Sequence, residues 1–496
     1  MNRRRFLSAL GLSATACALP RRAFGLTAPD LAHDTDRPEF HFIAPRNWMN
    51  DPNGPIWWKG QYHLFYQWLP DSTTGGPVHW GHAVSPDMVH WRHLPFALAP
   101  TPGTADRDGC WTGSAVVSDG VPTVIYTGVI HQAKPENSDD EWLQAQMLAT
   151  AEDSSLLHWK KLPEPVLAGP PEGMATTGFR DPCPWREAGG WYLAVGSGER
   201  DKGGCILLYR SQDLRHWEYL HPLIHGQSTG NPAPNAVYRG DMWECPDFFE
   251  VNGQHCLLYS SENKVSWSTG VYDRKEHKFT IKRRGILDHG GPAYYAPKSF
   301  RAPDGRRILW GWVCETRSQA EFTAAGWAGA TSLPRVLTIG AQGQLEMNPA
   351  VELEKLRGEV QRISLKPGAT FRQKLTTLRQ ELRAPMNLLS PSALTARIMT
   401  GGRKVWELTV DADAKVVRCG ETSFPLPGLP WPRPTLRTFL DGSVIESFVG
   451  GREVITHRVY GLKPGATELE ITLTGEKNVE LELWPLDAIS PDRLTT

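Results

Sequence analysis

Three acidic residues lie in short sequence motifs. Their carboxyl groups are suited to acid–base and nucleophilic chemistry. Asp51 lies among polar residues, Asp181 directly follows Arg180, and Glu244 stands between a tryptophan and a Cys-Pro pair. Carboxylates that share one cleft repel each other, so one is expected to keep its proton while another stays ionised. That combination serves glycoside hydrolysis, which needs a proton donor for the leaving oxygen and a carboxylate for the sugar carbon.

The residues around the acids predict which of them donates the proton. The guanidinium of Arg180 favours ionised carboxylates nearby, whereas the less polar setting of Glu244 is expected to raise its pKa. We therefore expect Glu244 to be the proton donor. A calcium site is an alternative, because three carboxylates can supply hard oxygen ligands, but Arg180 beside them would oppose a cation. We predict no metal and no cofactor.

Regularly spaced hairpins predict how the acids are brought together. Turn signals followed by β-like runs occur at Lys-Gly 59–60, Asp-Gly 119–120, Gly-Gly 189–190, Asn-Gly 252–253 and Asp-Gly 304–305. Counting back nine residues from the glycine that ends each of these pairs reaches Asp51, Trp111, Asp181, Glu244 and Ala296. Equivalent positions in a radially repeated β architecture lie at similar depth around its axis. The five units predict an all-β fold with a five-bladed β-propeller and one central pocket.

A second repeat supports this interpretation. The segments Ser-Pro-Asp-Met-Val-His-Trp (85–91), Asp-Ser-Ser-Leu-Leu-His-Trp (153–159) and Ser-Gln-Asp-Leu-Arg-His-Trp (211–217) resemble one another, and a degenerate fourth copy covers 273–279. Each follows a β-like run. Residues 141–153 have some helical propensity, but their place in this repeat predicts a strand.

The chain resembles glycoside hydrolase family 32, which includes invertases, levanases, inulinases and fructan exohydrolases. The matching motifs are Trp-Met-Asn-Asp-Pro-Asn-Gly (48–54), Phe-Tyr-Gln (65–67), His-Trp-Gly-His (79–82), Trp-Thr-Gly-Ser (111–114), Phe-Arg-Asp-Pro (179–182), Trp-Glu-Cys-Pro-Asp (243–247), Tyr-Ala-Pro (295–297), Trp-Gly-Trp (310–312) and Gly-Trp-Ala-Gly (326–329). They occur in family order across nearly the whole chain.

This resemblance implies a role for each of the three acids. Asp51 would be the nucleophile, Glu244 the acid/base, and Asp181 the residue that holds fructose hydroxyls in the transition state. The pocket for the terminal fructosyl unit would be formed by Trp48, Asn50, Gln67, Trp80, Trp111, Thr112 and Arg180. Strand packing is the alternative for Gln67 and Trp80. Asp288 is a further possible contact.

The pattern changes near residue 346, which predicts a second domain. Asn348 and Pro349 suit the start of a short helix, and alternating strands follow it up to residue 483. We predict a propeller over 36–345, a helical linker over 346–362 and a β-sandwich over 363–496. The sandwich contains the motif Leu-Asp-Gly-Ser-Val-Ile-Glu-Ser-Phe (440–448), which is similar to one in family 32. We expect this domain to buttress the propeller, with fructan binding as the alternative.

The N-terminus and the composition indicate where the protein works. Three arginines at 3–5 precede an apolar run and small residues near position 25, which resembles a twin-arginine export signal over 1–25. The mature protein is therefore expected to be periplasmic or extracellular. Lys and Arg total 53 against 54 Asp and Glu, so no charge excess favours nucleic acid or an anionic membrane. The seven cysteines after the signal match no zinc pattern and are expected to be buried.

The predicted activity is retaining hydrolysis of terminal β-D-fructofuranosyl units from sucrose, levan or inulin, through a covalent fructosyl-enzyme. A fructosyltransferase that uses the same residues is the nearest alternative. A non-catalytic carbohydrate-binding propeller and a five-bladed arabinan hydrolase are further alternatives, against which the intact acids and the motifs at 48–54 and 243–246 argue. The preferred substrate, exo or endo action and the oligomeric state do not follow from the motifs.

Overall fold

The structure is a computed structural model that describes residues 28–132, 141–226, 240–385, 392–426, 435–491 and 494. The predicted export signal at 1–25 lies outside these residues. Two short α-helices are present in the described part, α1 (Ala28–His33) and α2 (Gln319–Ala325). No helix among the described residues is long and apolar enough to cross a membrane.

Antiparallel sheets of consecutive strands make up the chain up to residue 349. The first sheet contains β1 (Asn47–Trp58), β2 (Gln61–Leu69), β3 (His79–Ser85) and β4 (Arg92–Leu98). The second contains β5 (Gly109–Ser118), β6 (Val121–His131), β7 (Trp142–Ala151) and β8 (Trp159–Lys161). The third contains β9 (Thr176–Glu187), β10 (Gly190–Glu199), β11 (Gly203–Ser211) and β12 (Glu218–His225).

The fourth sheet contains β13 (Glu244–Val251), β14 (Gln254–Ser261), β15 (Lys264–Asp273) and β16 (Lys278–Ile286). The fifth contains β17 (Tyr294–Arg301), β18 (Arg307–Val313), β20 (Ala330–Thr331), β21 (Arg335–Ile339) and β22 (Leu345–Pro349), while β19 (Trp327–Ala328) pairs in parallel with β1 of the first sheet. A 3₁₀ helix, Gly291–Ala293, precedes β17.

The first strands of the five sheets contact one another in cyclic order, β1 with β5, β5 with β9, β9 with β13, β13 with β17 and β17 with β1. Apolar cores lie between neighbouring sheets, such as Phe65 with Tyr126 and Ile125 with Leu193. This arrangement fits a β-propeller in which the five strands β1, β5, β9, β13 and β17 are innermost.

The Asp…His-Trp repeat seen in the sequence is one structural unit used three times, with two more residues between Asp and His in the second copy. In each copy the aspartate side chain accepts the backbone N–H of the histidine, at 2.9 Å in the first copy. The indole N–H of each tryptophan donates to a backbone carbonyl three residues earlier, at 2.9 to 3.0 Å. The residue two positions before each histidine, Met88, Leu156 or Leu214, has a positive φ between 58° and 65°. The predicted strand over 141–153 is confirmed as β7.

Two six-stranded sheets follow the fifth sheet and fit a β-sandwich. In order of pairing, one contains β23 (Gln361–Leu365), β34 (Val479–Pro485), β25 (Arg379–Pro385), β30 (Thr435–Asp441), β31 (Val444–Val449) and β32 (Glu453–Arg458). The other contains β24 (Thr370–Lys374), β33 (Thr467–Gly475), β26 (Ser392–Thr400), β27 (Arg403–Asp411), β28 (Val416–Cys419) and β29 (Thr422–Pro425).

The segment between the sheets differs in detail from the predicted linker. Asn348 and Pro349 end β22 instead of capping a helix, because that strand pairs with β21 along its whole length. A 3₁₀ helix, Val351–Leu356, follows, and its N-cap Ala350 makes no side-chain capping hydrogen bond. The apolar residues Leu353 and Leu356 of this helix are buried, whereas Val351 is 61% exposed.

A buried charge network joins the propeller-like sheets to the sandwich. Arg335 donates to Asp288 at 2.8 Å and to Glu446 at 2.7 Å, with all three side chains fully buried. Asp288 also accepts the backbone N–H of Thr456 at 2.9 Å. Paired buried charges hold one geometry, since losing one partner leaves the other uncompensated. The possible sugar contact Asp288 therefore lies in this interface.

The seven described cysteines form no disulfide and are buried, and their burial confirms the expectation from sequence. Burial raises the pKa of the Cys183 thiol to about 11. A thiol with a pKa this high stays protonated and packs as a small, weakly polar side chain.

A buried histidine pair in the first sheet predicts acid sensitivity of the fold. His63 and His82 stack, with ring nitrogens 3.0 Å apart, and burial lowers the pKa of His63 to about 4. Because the unfolded chain takes up this proton below about pH 6.5, the stabilisation is complete above that pH and is lost as the pH falls towards 4. We expect His63 to contribute on the order of 3 kcal/mol to this loss.

The measurement is urea denaturation of the wild type and of His63→Gln at pH 7.5, 5.5 and 4.5. The variant should lose less stability on acidification than the wild type. His216→Gln, at a histidine whose side chain is 89% exposed, serves as the control and should keep the wild-type slope. An unchanged slope in His63→Gln would contradict the assignment.

Candidate active site

The three acids lie at a β-bulge that recurs in all five innermost strands. Two residues of each strand are skipped in the pairing register, and these are Asn50 and Asp51, Trp111 and Thr112, Asp181 and Pro182, Cys245 and Pro246, and Ala296 and Pro297. Such bulges bend the strand and redirect its side chains. The sequence folds into them where proline removes a ladder donor or where the backbone takes a positive φ, as at Asp181 (66°) and Cys245 (51°).

The register corrects one detail of the sequence analysis. Asp51 is the second skipped residue, Asp181 is the first, and Glu244 is the last paired residue before the bulge. The three acids therefore occupy successive positions and not one shared position, because β1 contains a second bulge between Asn53 and Ile56 and because Gly190 is the first residue of β10. Convergence still results, since the bulge lies at the same level of each innermost strand.

Asp51 is fully buried and is held by side chains of two neighbouring sheets. Its Oδ1 accepts a hydrogen bond from Asn50 Nδ2 at 3.1 Å, and its Oδ2 accepts one from the Thr112 hydroxyl. Asn50 Nδ2 also donates to Gln67 Oε1 at 2.6 Å, and Gln67 Nε2 donates to Thr112 Oγ1 at 2.5 Å. This chain of amides and hydroxyl fixes the orientation of the carboxylate.

Asp181 is equally buried and points towards the fourth sheet. Its Oδ2 accepts the backbone N–H of Cys245 at 2.9 Å, and its own backbone N–H donates to the Thr127 hydroxyl at 2.9 Å. The Cys245 thiol lies 3.3 Å from Asp181 Oδ2 and 3.6 Å from Asp51 Oδ2. One thiol therefore lies within hydrogen-bonding distance of both carboxylates, which places them in one pocket.

Glu244 makes a charged contact that the sequence analysis did not anticipate. Its Oε1 accepts from Arg180 Nη2 at 2.7 Å and from Nε at 3.1 Å, and its Oε2 accepts from the Tyr295 hydroxyl at 2.7 Å. The expected apolar setting is therefore wrong, because Arg180 reaches across from the third sheet. These donors favour the ionised carboxylate.

The predicted tryptophans lie on two sides of the acids. Trp48 donates from Nε1 to Asn50 Oδ1 at 3.2 Å and packs against Trp312. Trp111 lies under the Arg180 guanidinium, 6.0 Å from ring centre to Cζ. Trp80 is fully buried beside Tyr126, and its Nε1 donates to the backbone carbonyl of Trp111 at 2.8 Å. Trp80 thus supports the strand that carries Trp111.

Sequence reasoning missed three residues that contact the predicted site. Tyr295 binds Glu244, Cys245 lies between the two aspartates, and Gln144 Oε1 accepts from Arg180 Nη1 at 3.2 Å. Tyr295 and Cys245 each adjoin a position reached by the nine-residue count, so that signal was available. Gln144 lies on β7, where nothing in the sequence distinguishes it from other strand residues. Across the described ranges no group of three or more His, Cys, Asp or Glu side chains could hold a metal ion.

Family models match both parts of the chain. The model described as Glycosyl hydrolases family 32 N-terminal domain matches residues 41–349, and the one described as Glycosyl hydrolases family 32 C terminal matches residues 402–485. The chain belongs to glycosyl hydrolase family 32. The family 32 enzyme is a glycoside hydrolase of the β-fructofuranosidase type with a carbohydrate substrate.

Named relatives cover almost the whole enzyme. It is 35% identical over 488 residues to a sucrose-6-phosphate hydrolase of Escherichia coli, covering 91% of this chain and 95% of that protein. It resembles the structure of a GH32 beta-fructofuranosidase of Bombyx mori, with 29% identity, a TM-score of 0.77 and coverage of 92% and 95% of the two chains. It also resembles fructan 1-exohydrolase IIa of Cichorium intybus, with 30% identity, a TM-score of 0.74 and coverage of 92% and 98%.

The contact between Tyr295 and Glu244 predicts a measurable role for the phenol. Replacing Tyr295 by Phe removes one charge-assisted hydrogen bond and keeps the ring, so we expect kcat/KM to fall about tenfold. Tyr209→Phe is a matched control, because the Tyr209 hydroxyl is buried and makes no hydrogen bond among the described residues. Equal activity of the two variants would show that the Tyr295 hydroxyl is dispensable.

Proposed function

We propose that this enzyme is a retaining hydrolase that removes terminal β-D-fructofuranosyl units from sucrose or fructans through a covalent fructosyl-enzyme. The observation that carries the proposal is the convergence of Asp51 and Asp181 on the Cys245 thiol, directly beside Glu244. A retaining mechanism needs a nucleophile and an acid/base in one pocket, about 5 to 5.5 Å apart.

Asp51 is the proposed nucleophile. Its carboxylate attacks the anomeric carbon of the fructosyl unit, and the bond from that carbon to the leaving oxygen breaks. Glu244 gives its proton to this oxygen, so the leaving sugar departs neutral. The hydrogen bonds from Asn50 and Thr112 hold Asp51 ready for this attack.

Water completes the cycle in the second step. Glu244, now ionised, takes a proton from a water molecule that attacks the fructosyl carbon, and the ester bond to Asp51 breaks. Arg180 and Tyr295 donate hydrogen bonds that orient the Glu244 carboxylate for this step. Asp181 is the proposed stabiliser that accepts hydrogen bonds from fructose hydroxyls in the transition state.

The substrate pocket is proposed to consist of the residues predicted from sequence. These are Trp48, Asn50, Gln67, Trp80, Trp111, Thr112 and Arg180. The hydrogen bonds that link Asn50, Gln67 and Thr112 support a rigid polar wall next to Asp51. The methyl group of Thr112 would narrow the pocket slightly on this side.

The proposed architecture of this enzyme is a five-bladed propeller followed by a β-sandwich. The cyclic contacts of the innermost strands and the β19–β1 pairing support a closed five-bladed propeller over 36–345, and the two six-stranded sheets support a sandwich over 363–496.

The arginines at 3–5 support export to the periplasm or the extracellular space. Replacing them with lysines should leave the enzyme in the cytoplasm, as measured by cell fractionation.

A product profile tests the proposed activity. Purified enzyme is incubated with sucrose, 1-kestose, inulin and levan at low and high sugar concentration, and ¹H NMR follows the anomer that is released first. Release of β-fructose alone supports exo-hydrolysis with retention. Growing oligosaccharides would indicate the fructosyltransferase instead, and first release of the α-anomer would overturn the retaining mechanism. Because one relative is named a sucrose-6-phosphate hydrolase, sucrose 6-phosphate is included as an additional substrate.

A further inference from the structure

A second cavity lies further along the innermost strands than the acids. It has a volume of about 340 Å³ and is lined by residues from the later parts of β5, β9, β13 and β17. On β13, its lining residues 247–250 lie three to six positions beyond Glu244, or roughly 10 to 20 Å along the strand. The cavity is therefore separate from the proposed sugar pocket.

The guanidinium of Arg307 is one of the charged groups that line this cavity. It packs over the ring of Phe249, 4.2 Å from the centroid, and its side chain is 17% exposed. Its Nε donates to Ser299 Oγ at 2.7 Å and its Nη2 to the Ser299 carbonyl at 3.3 Å. Burial lowers the pKa of Arg307, and the nearby Asp247 opposes this shift.

Asp247 is the carboxylate nearest to Arg307, but it is engaged elsewhere. The shortest distance between Arg307 Nη2 and Asp247 Oδ1 is 3.5 Å. Asp247 Oδ2 accepts the backbone N–H of Ser299 at 2.9 Å and also its hydroxyl, while Oδ1 lies 3.7 Å from the Cys183 thiol. Arg307 Nη1 donates to none of the described residues, which leaves donor capacity towards the cavity.

The other lining charges nearly balance one another, with three arginines and two acids. Glu187 and Glu250 are both bound by Arg274, each at 2.7 Å, so this pair of acids is already neutralised in part. Arg186 and Arg301 also line the cavity, and neither forms an ion pair with a described residue. The lining therefore carries four guanidinium groups against three carboxylates, and the two guanidinium groups without an ion pair to a described residue are those of Arg186 and Arg301.

We propose that this cavity binds a small oxyanion, such as phosphate, sulfate or a carboxylate, between Arg307 and Arg301. Guanidinium groups present planar pairs of donors that match the oxygens of such anions, and the hydrogen bonds are charge-assisted. A cation is disfavoured by the same arginines. The volume admits an anion of the size of phosphate or citrate.

Thermal unfolding of the full-length exported enzyme tests the site with inorganic phosphate as the probe. Sodium chloride at equal ionic strength corrects for general salt effects. Phosphate should raise the Tm of the wild type in a saturable way. The apparent Kd should be about tenfold weaker in Arg301→Gln and should be lost in Arg307→Gln. Arg362→Gln, at a 73% exposed arginine of the sandwich, is the control and should behave like the wild type.

A second variant and two other anions provide further tests of the site. If Arg307→Gln does not fold, Arg307→Lys keeps the charge, loses the planar donor pair and should weaken binding. Parallel titrations with sulfate and citrate show which oxyanion the site prefers. Phosphate should leave the KM for sucrose unchanged, because the two pockets are separate. An equal Tm rise in the wild type, Arg301→Gln and Arg307→Lys, or competition with sucrose, would overturn the site.

Discussion

Replacing Asp51 by Asn is expected to reduce kcat on sucrose by about 10⁴-fold or more. The amide has the shape of the carboxylate and can keep a hydrogen bond to Thr112, but it cannot form the ester to the fructosyl carbon. Asp51 is fully buried and oriented by Asn50 and Thr112, so no mobile group can replace it. Sucrose binding should survive, because the walls of the pocket are unchanged.

Steady-state kinetics and calorimetric binding of sucrose measure the two effects separately. Asp119→Asn is the matched control, since Asp119 lies in an exposed hairpin turn with a φ of 49°, which asparagine also tolerates. Azide added to Asp51→Ala provides a second readout, because a small nucleophile in the vacated space should give fructosyl azide of inverted configuration. Substantial sucrose hydrolysis by Asp51→Asn would assign the nucleophile to another residue.

Local sequence signals predicted the hairpins and their strands well. The Asp-Gly and Asn-Gly turns produce hairpins as expected, as at Asn252 between β13 and β14. Arg180 and Asp181 face the neighbouring sheet because the strand bulges at 181–182. These outcomes depend on residues close together in the chain, for which turn chemistry and alternation are sufficient.

Contacts between sheets could not be predicted in this way. The pairing of Arg180 with Glu244 joins residues 64 positions apart, and that of Tyr295 with Glu244 joins residues 51 apart. Which side chain contacts the neighbouring sheet depends on the angle between the two sheets. That angle cannot be read from the motif of either strand. The apolar setting expected for Glu244 was wrong for this reason.

The same limit explains why the position of Asp288 could not be predicted from its motif. Its motif alone suggested a sugar contact, but its partners Arg335 and Thr456 come from the fifth sheet and the sandwich. A charged residue in a loop after a strand suits either a ligand or an interface. Only the packing of the two sheet systems decides between them.

Glu244→Gln is expected to lower kcat/KM on sucrose by about 10² to 10⁴-fold, since the departing sugar alkoxide then receives no proton. An aryl β-fructofuranoside with an acidic phenol needs little protonation, so its first step should be affected much less. Its second step lacks the base that activates water. The fructosyl ester on Asp51 should therefore accumulate, giving a burst of phenol and a mass increase of one fructosyl unit.

Glu250→Gln is the control on the same strand, because Glu250 lies at the surface and pairs with Arg274. Azide should restore turnover of the aryl substrate in Glu244→Gln, since it attacks the ester without needing a base, and the product should keep the β configuration. Retention here and inversion in Asp51→Ala would together distinguish the two roles. Wild-type turnover of sucrose by Glu244→Gln would falsify the acid/base assignment, and the hydrogen bonds from Arg180 and Tyr295 would then be structural.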